Sequence, residues 1–492
     1  MRRMGSTMRR AALMGVVTGL VLGCGHAAFA ADIGVNDDTG KFAADGGTEF
    51  FTRVAALGLR QTVMTTRFLP ADPTTIQDGP SLDRAVPEAN TQGVRVSLAV
   101  YPFPPSELDG GRSTPEAFAA YVTLVAQRYP AVRQFIVLNE PNQPAFVRPQ
   151  FDAAGKNVSA ATAGRYLAAA YDALKAIDPA IKVIGIGLSP RGNDRPSAPS
   201  NVSTSPVRFL AALGSWYRSS GRTLPLMDGF SFHPYPNQAT DPLDRGYVWP
   251  NAGFADVQRI KQALWDAFHG TPQPTTVSGL KLYLDEVGWQ VDTSTHDGYE
   301  GVESVRVTTE VEQAAIYAQL VRSAACDPDI AEVNVFGFYD DVPRDRGFQA
   351  ALNRVDGSPR PSATAVQAAI ADTAGGCFAH PSVWRPAAGV VGVSKPLVTP
   401  VAGAVRVEVA ALEGASAVVC VLPGRLGLAA VKAAMRSRTA TSAGCVGATA
   451  LPNRPGRARL VRPSPARPAT VGIRVAAEAD ARRVSSFSTQ IR

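Results

Sequence analysis

Phe135-Ile136-Val137-Leu138-Asn139-Glu140-Pro141-Asn142 and Leu282-Tyr283-Leu284-Asp285-Glu286-Val287-Gly288-Trp289 follow one plan. Each is an apolar run long enough for a single buried strand, and each ends abruptly in a carboxylate. A carboxylate at the mouth of a buried strand is costly unless it is solvated, paired or used. Working outward from these two segments, short apolar runs alternate with longer amphipathic ones. Strands are expected at Ile33–Asn36, Val63–Arg67, Val94–Tyr101, Phe135–Asn139, Lys182–Gly187, Gly229–His233, Lys281–Glu286 and Val333–Tyr339. Helices are expected at Thr48–Leu59, Ser81–Thr91, Pro115–Tyr129, Ala160–Ile177, Pro206–Arg218, Phe254–Phe268, Thr309–Ala325 and Ala363–Ile370. Ser113-Thr114-Pro115-Glu116 reads as a capping box with proline in the first turn. Eight strand–helix pairs over about 340 residues predict a (β/α)₈ barrel. The alternative is an open doubly wound sheet. It calls for a glycine-rich phosphate turn after the first strand, which Gly34-Val35-Asn36-Asp37 does not supply.

In such a barrel the working groups sit at the C-terminal ends of strands. Asn36, Arg67, Tyr101, Asn139 with Glu140, His233 with Tyr235, Glu286 with Trp289, and Tyr339 all fall there. Two carboxylates converging on one pocket are the minimum equipment for breaking a glycosidic bond, one as proton donor and one as nucleophile. Glu140 is the candidate acid and Glu286 the candidate nucleophile. Asn139 is placed to bond a sugar hydroxyl, while His233, Tyr235 and Arg67 would hold Glu286 ionised. Trp289 and Tyr339 are candidate sugar-stacking rings. Taken singly, His233 reads as a packed histidine and the two aromatics as core residues.

The chain opens with Arg2, Arg3, Arg9 and Arg10, an apolar stretch from Ala11 to Leu22, and Ala28-Phe29-Ala30. That order predicts a secretory signal peptide over residues 1–30. A lipoprotein box at Val21-Leu22-Gly23-Cys24 is the competing reading, disfavoured by the short tether it would leave. No later run has the roughly 18 apolar residues of a membrane span. The net charge of +7 hides an opposition. Residues 377–492 carry 16 Lys and Arg against 4 Asp and Glu, whereas residues 31–376 carry 29 against 38. An acidic barrel over 31–376 and a basic accessory domain over 377–492 are therefore expected. In the latter, strands at Val405–Leu412, Ala417–Leu422, Arg457–Val461 and Thr470–Ala476, with one helical turn at Val431–Met435, predict a small β-sandwich. The run Asn453-Arg454-Pro455-Gly456-Arg457-Ala458-Arg459 reads as a solvated basic loop or as a patch for an anionic cell-envelope polymer. No nucleic-acid partner is expected, because the chain reads as exported and the basic stretch has no interleaved aromatics. After Cys24, the four cysteines suggest the pairs Cys326–Cys377 and Cys420–Cys445, one per domain. None has metal-ligand spacing, so no metal and no cofactor is expected.

Asn139-Glu140-Pro141-Asn142, Phe232-His233-Pro234-Tyr235 and Leu284-Asp285-Glu286-Val287-Gly288-Trp289 together resemble the retaining glycoside hydrolases of clan A, most of all families 39 and 5. Asp356-Gly357-Ser358-Pro359-Arg360-Pro361 also looks like the segment before the last helix of those enzymes. The resemblance covers about residues 31–372. It implies a secreted glycosidase acting on a poly- or oligosaccharide, with Glu140 as acid/base, Glu286 as nucleophile, Asn139 at the 2-hydroxyl, and His233 or Tyr235 beside the nucleophile. A transglycosylase using the same pocket and a non-catalytic glycan-binding barrel are the alternatives. The chain departs from the family pattern at the eighth strand, where Phe336-Gly337-Phe338-Tyr339-Asp340 stands in place of a terminal tryptophan.

Overall fold

The computed structural model describes residues 31–377 except 110, then 384–386, 396–401, 404–409, 415–450, 456–461, 468–477 and 484–491. The proposed signal peptide, Cys24 and the start of the basic run at residues 453–455 lie outside the described residues.

Eight parallel strands close into a barrel in chain order: β1 (Asp32–Asn36), β2 (Gln61–Phe68), β3 (Arg95–Pro102), β4 (Gln134–Val137), β5 (Lys182–Leu188), β6 (Gly229–Phe232), β7 (Lys281–Val287) and β8 (Ile330–Phe336). The first and last strands pair along five residues, Asp32 with Glu332 through Asn36 with Phe336. Strand alternation sends Val63, Ala99, Ile136, Ile184 and Tyr283 into the barrel interior, where they pack as one layer. The opposite faces of the strands pack against the amphipathic helices, which is why the strands read as almost unbroken apolar runs. At the N-terminal end the interior turns polar. Gln134 Nε2 donates to Ser97 Oγ and to Glu332, both at 2.9 Å, Asn334 donates to Glu332 at 2.9 Å, and Gln61 donates to Asn334 at 3.0 Å. Gly34 makes room for this network, since a Cβ there would stand 2.3 Å from the Gln61 side chain.

Two strands end two or more residues short of expectation. The eighth strand was expected to reach Tyr339 but stops at Phe336, because Gly337 turns the chain at φ +93° and Asp37 captures the N–H groups of Phe338 and Tyr339. The fourth was expected to reach Asn139 but stops at Val137, with Leu138 at φ +75°. The expected capping box is a simpler cap: Thr114 Oγ1 accepts from Ala117 N at 3.2 Å, which leaves Glu116 one position short of the reciprocal bond.

The C-terminal region forms two antiparallel sheets. One has three strands, in the order Gly456–Val461, Ala404–Val409 and Leu397–Val401.

 The other has four, in the order Cys445–Ala450, Ala415–Pro423, Ala469–Ala477 and Val484–Ile491. Val405, Val407 and Val409 from the first sheet share one core with Val419, Val471, Ile473 and Val475 from the second, so the pair is a small sandwich. Three of these strands, Leu397–Val401, Cys445–Ala450 and Val484–Ile491, were not foreseen, being short or rich in small polar residues. The helical turn near Val431 extends over Leu428–Met435. Both expected disulfides are present, Cys326–Cys377 and Cys420–Cys445. Among the described residues no helix is long and apolar enough to cross a membrane.

Candidate active site

The polar strand ends meet at the C-terminal mouth of the barrel. Glu140 leaves the turn after β4 with φ +35°, and its N–H donates to the Gly187 carbonyl at the end of β5 at 2.8 Å. Asn142 locks this turn to the next strand, accepting from Ser189 N at 3.0 Å and donating to Ser189 O and Thr204 O. Gly187 has φ +62°, and a Cβ there would lie 3.1 Å from His233 Nε2 and 3.3 Å from Asn139 Cα. Glycine is required at this position on both counts.

His233, fully buried just beyond β6, joins the segments that follow β4 and end β7. Its Nδ1 lies 3.2 Å from Glu140 Oε1 and 3.4 Å from Glu286 Oε2. Those two oxygens are therefore no further apart than the sum of the two distances, about 6.6 Å. On the other side of the ring, Nε2 faces Asp285 Oδ2 at 3.6 Å, and Asp285 Oδ1 accepts from Ser231 Oγ at 2.5 Å. Glu286 also accepts from Tyr235 OH at 3.1 Å and from Asn36 Nδ2 at 3.4 Å, the latter group being anchored on the Asp285 carbonyl at 3.1 Å.

This arrangement tunes the ionisable groups against one another. Burial pushes Glu286 up to about 7, and the Glu140 and Asp285 carboxylates add to the rise, while His233 and the Tyr235 hydroxyl pull it back. Burial works against a charge on His233, but Glu286 and Asp285 outweigh it and raise the imidazole well above its ordinary value. Burial, followed by the Glu286 and Glu140 charges, raises Tyr235 far enough that its hydroxyl stays a donor. A carboxylate held by an imidazolium, a phenol and an amide, beside a second carboxylate, is suited to attack and proton transfer at a single centre.

Asn36, Asn139, Glu140, Tyr235, Glu286 and Tyr339 line one cavity of about 920 Å³. Tyr339 is held from behind, its hydroxyl accepting from Arg53 Nη1 at 2.8 Å. Two expectations need correction. Trp289 is only 2% exposed, lies in the hydrophobic core and donates its Nε1–H to the Asp241 carbonyl at 2.8 Å, so it has no open face for a sugar. Arg67 is exposed with its guanidinium over the Phe103 ring at 5.1 Å, and among the described residues the groups that hold Glu286 are His233, Tyr235 and Asn36 instead.

Phe336 and Phe348 were missed. They line the cavity beside Tyr235, with ring centroids 6.2 and 5.4 Å from it. Phe336 ends β8, where the family resemblance calls for a tryptophan, and that position was the available signal. Phe348 lies in the long connection after β8, where nothing in the sequence marks it. Asp285 stands inside the Leu282–Trp289 segment, and its adjacency to Glu286 gives no hint that it faces His233. Among the described residues no group of three or more His, Cys, Asp or Glu side chains is placed to hold a metal ion.

No family model matches the chain, and no curated protein matches its sequence. The solved structures it is similar to include glycoside hydrolases. One is a family 39 glycoside hydrolase from the gut symbiont Bacteroides cellulosilyticus, 15% identical, with a TM-score of 0.47 over 88% of this chain and 81% of that one. GH5_18 from Streptomyces cattleya, solved with GlcNAc, is 16% identical, with a TM-score of 0.47 over 74% of this chain and 84% of its own. Xylanase 10B from Thermotoga maritima is 13% identical, with a TM-score of 0.41 over 69% and 95%.

Proposed function

We propose that this chain is an exported retaining glycoside hydrolase that cleaves O-glycosidic bonds of a poly- or oligosaccharide by double displacement. The observation that carries the reading is the approach of Glu140 and Glu286 to a single His233 nitrogen, at 3.2 and 3.4 Å. Retaining enzymes place their two carboxyl groups about 5–5.5 Å apart, whereas inverting enzymes leave room for a water at roughly 6.5–9.5 Å. The bound of about 6.6 Å on the nearest oxygens favours the shorter arrangement.

In this mechanism Glu286 attacks the anomeric carbon while Glu140 gives its proton to the leaving oxygen. A glycosyl ester on Glu286 results. Glu140, now ionised, takes a proton from water, which attacks the same carbon and releases Glu286. Tyr235 and His233 keep Glu286 oriented and charged, and Asn139 and Asn36 lie where sugar hydroxyls would sit. Transglycosylation follows if a sugar hydroxyl replaces the water, and the second cavity described below gives such an acceptor a place. Export is supported by the signal-like residues 1–30 and the two disulfides.

The test is hydrolysis of a glycan and aryl-glycoside panel by wild type, Glu286→Gln and Glu140→Gln, with the anomer of the first product read by NMR. Each substitution should abolish turnover with an unchanged circular dichroism spectrum, and the product should keep its configuration. Wild-type rates in either variant would refute the assignment of roles, and an inverted product would refute the double displacement.

A further inference from the structure

A second cavity, of about 640 Å³, adjoins the first across Glu140, Tyr235 and Phe348, which line both. It contains Glu140 but not Glu286. Because the acid protonates the departing oxygen, this cavity is the leaving-group side, given the catalytic reading above. The two cavities differ sharply in charge. Among the described residues, the one over Glu286 is lined by seven carboxylic residues and by no lysine, arginine or histidine. Two of the seven are paired, Asp38 with Lys41 at 3.0 Å and Asp340 with Arg360. Asp37 accepts from backbone N–H groups, and the catalytic pair and Asp285 share the buried His233.

On the leaving-group side, among the described residues, Glu140 is the sole carboxylic residue in the lining and Arg191 the one cation. Arg191 is exposed and pairs with no carboxylate among the described residues; its Nη1 donates to the Asn237 carbonyl at 3.2 Å, which leaves most of its donors open. Gln143, Asn201 and Gln290 add amide groups to the same wall.

We propose that the cleft is polarised by charge: the cavity over Glu286 takes a neutral glycosyl unit, and the adjoining cavity is a subsite for a saccharide bearing a carboxylate that Arg191 pairs. A guanidinium meets a carboxylate through two parallel N–H donors, whereas a neutral hydroxymethyl group offers it no charge. A uronate on the glycone side would meet the carboxylates already there and is rejected by repulsion.

Methyl β-glucuronide and methyl β-glucoside differ by the carboxylate alone and serve as the probes. Their affinities are measured by NMR titration on the Glu286→Gln protein at low salt, so that binding is read whether or not the chain is an enzyme. The glucuronide is expected to bind about fivefold to tenfold tighter, the advantage shrinking with added salt. Adding Arg191→Ala should abolish the preference, and Arg191→Lys should restore part of it. Equal affinities, or a preference that survives Arg191→Ala, would overturn the proposal. Failure of the catalytic reading shows up separately, as absence of hydrolysis by the wild type while this charge preference persists.

Discussion

Replacing His233 by glutamine is expected to move the acid limb of the kcat/KM profile to higher pH. Glu286 must be ionised to attack, and its pKa of about 7 places the wild-type limb near neutrality, with activity falling as pH drops below it. His233 is the cation that opposes this rise, with Nδ1 at 3.4 Å from Glu286 Oε2. Two unit charges at that distance interact by about 5 kcal/mol at an effective dielectric constant of about 20. If relaxation and water entry leave about a third of that, the limb moves up by about one pH unit, at about 1.4 kcal/mol per unit. Asp285, left without its imidazolium, pushes in the same direction. The assay is the pH dependence of kcat/KM on any aryl glycoside that the wild type cleaves, with the melting temperature of each variant measured in parallel. A limb that stays in place, or moves to lower pH in a folded variant, would refute the electrostatic role of His233. A wild-type limb near the ordinary carboxylate value would refute the raised pKa of Glu286 itself.

Gly187→Ala should cost roughly 1–3 kcal/mol of stability, because the residue has φ +62° and its new Cβ would press on His233; a chemical denaturation midpoint equal to the wild type's would contradict this. Trp289→Phe is expected to lower stability by about 1–3 kcal/mol through the unpaired Asp241 carbonyl, and to leave the KM of a cleaved glycoside unchanged, whereas a large rise in KM would return Trp289 to the sugar site. Glu332, at the base of the barrel, is raised to about 7 by burial, with Asp285 adding to the rise. A carboxyl raised on folding binds more protons in the native state, so its contribution is present below the unfolded value near 4.5 and is lost as pH climbs to about 7. Glu332→Gln should therefore flatten the stability profile across that window by about 3 kcal/mol, and denaturation curves with an unchanged slope would count against it.

The barrel was legible because strands buried on both faces leave unbroken apolar runs, and the helices between them leave a different period. Glu140 and Glu286 were legible for the same reason, as carboxylates that interrupt such runs where a strand must open to solvent. The groups behind them were not. Asp285 and Ser231 look like ordinary strand residues until the barrel closes and turns both toward His233.

Sequence by itself determined that eight strands form, that their ends are polar, and that the basic tail is a separate β-rich unit, because periodicity and charge are local properties of a chain. Only the tertiary structure decided that one imidazole stands between the two glutamates, that Trp289 is walled into the core, and that Arg67 turns to Phe103. Those outcomes depend on barrel closure and on how the loops above it pack. Closure and packing bring together site groups as far apart in the chain as Asn36 and Glu286, 250 positions, and no local pattern encodes such a meeting.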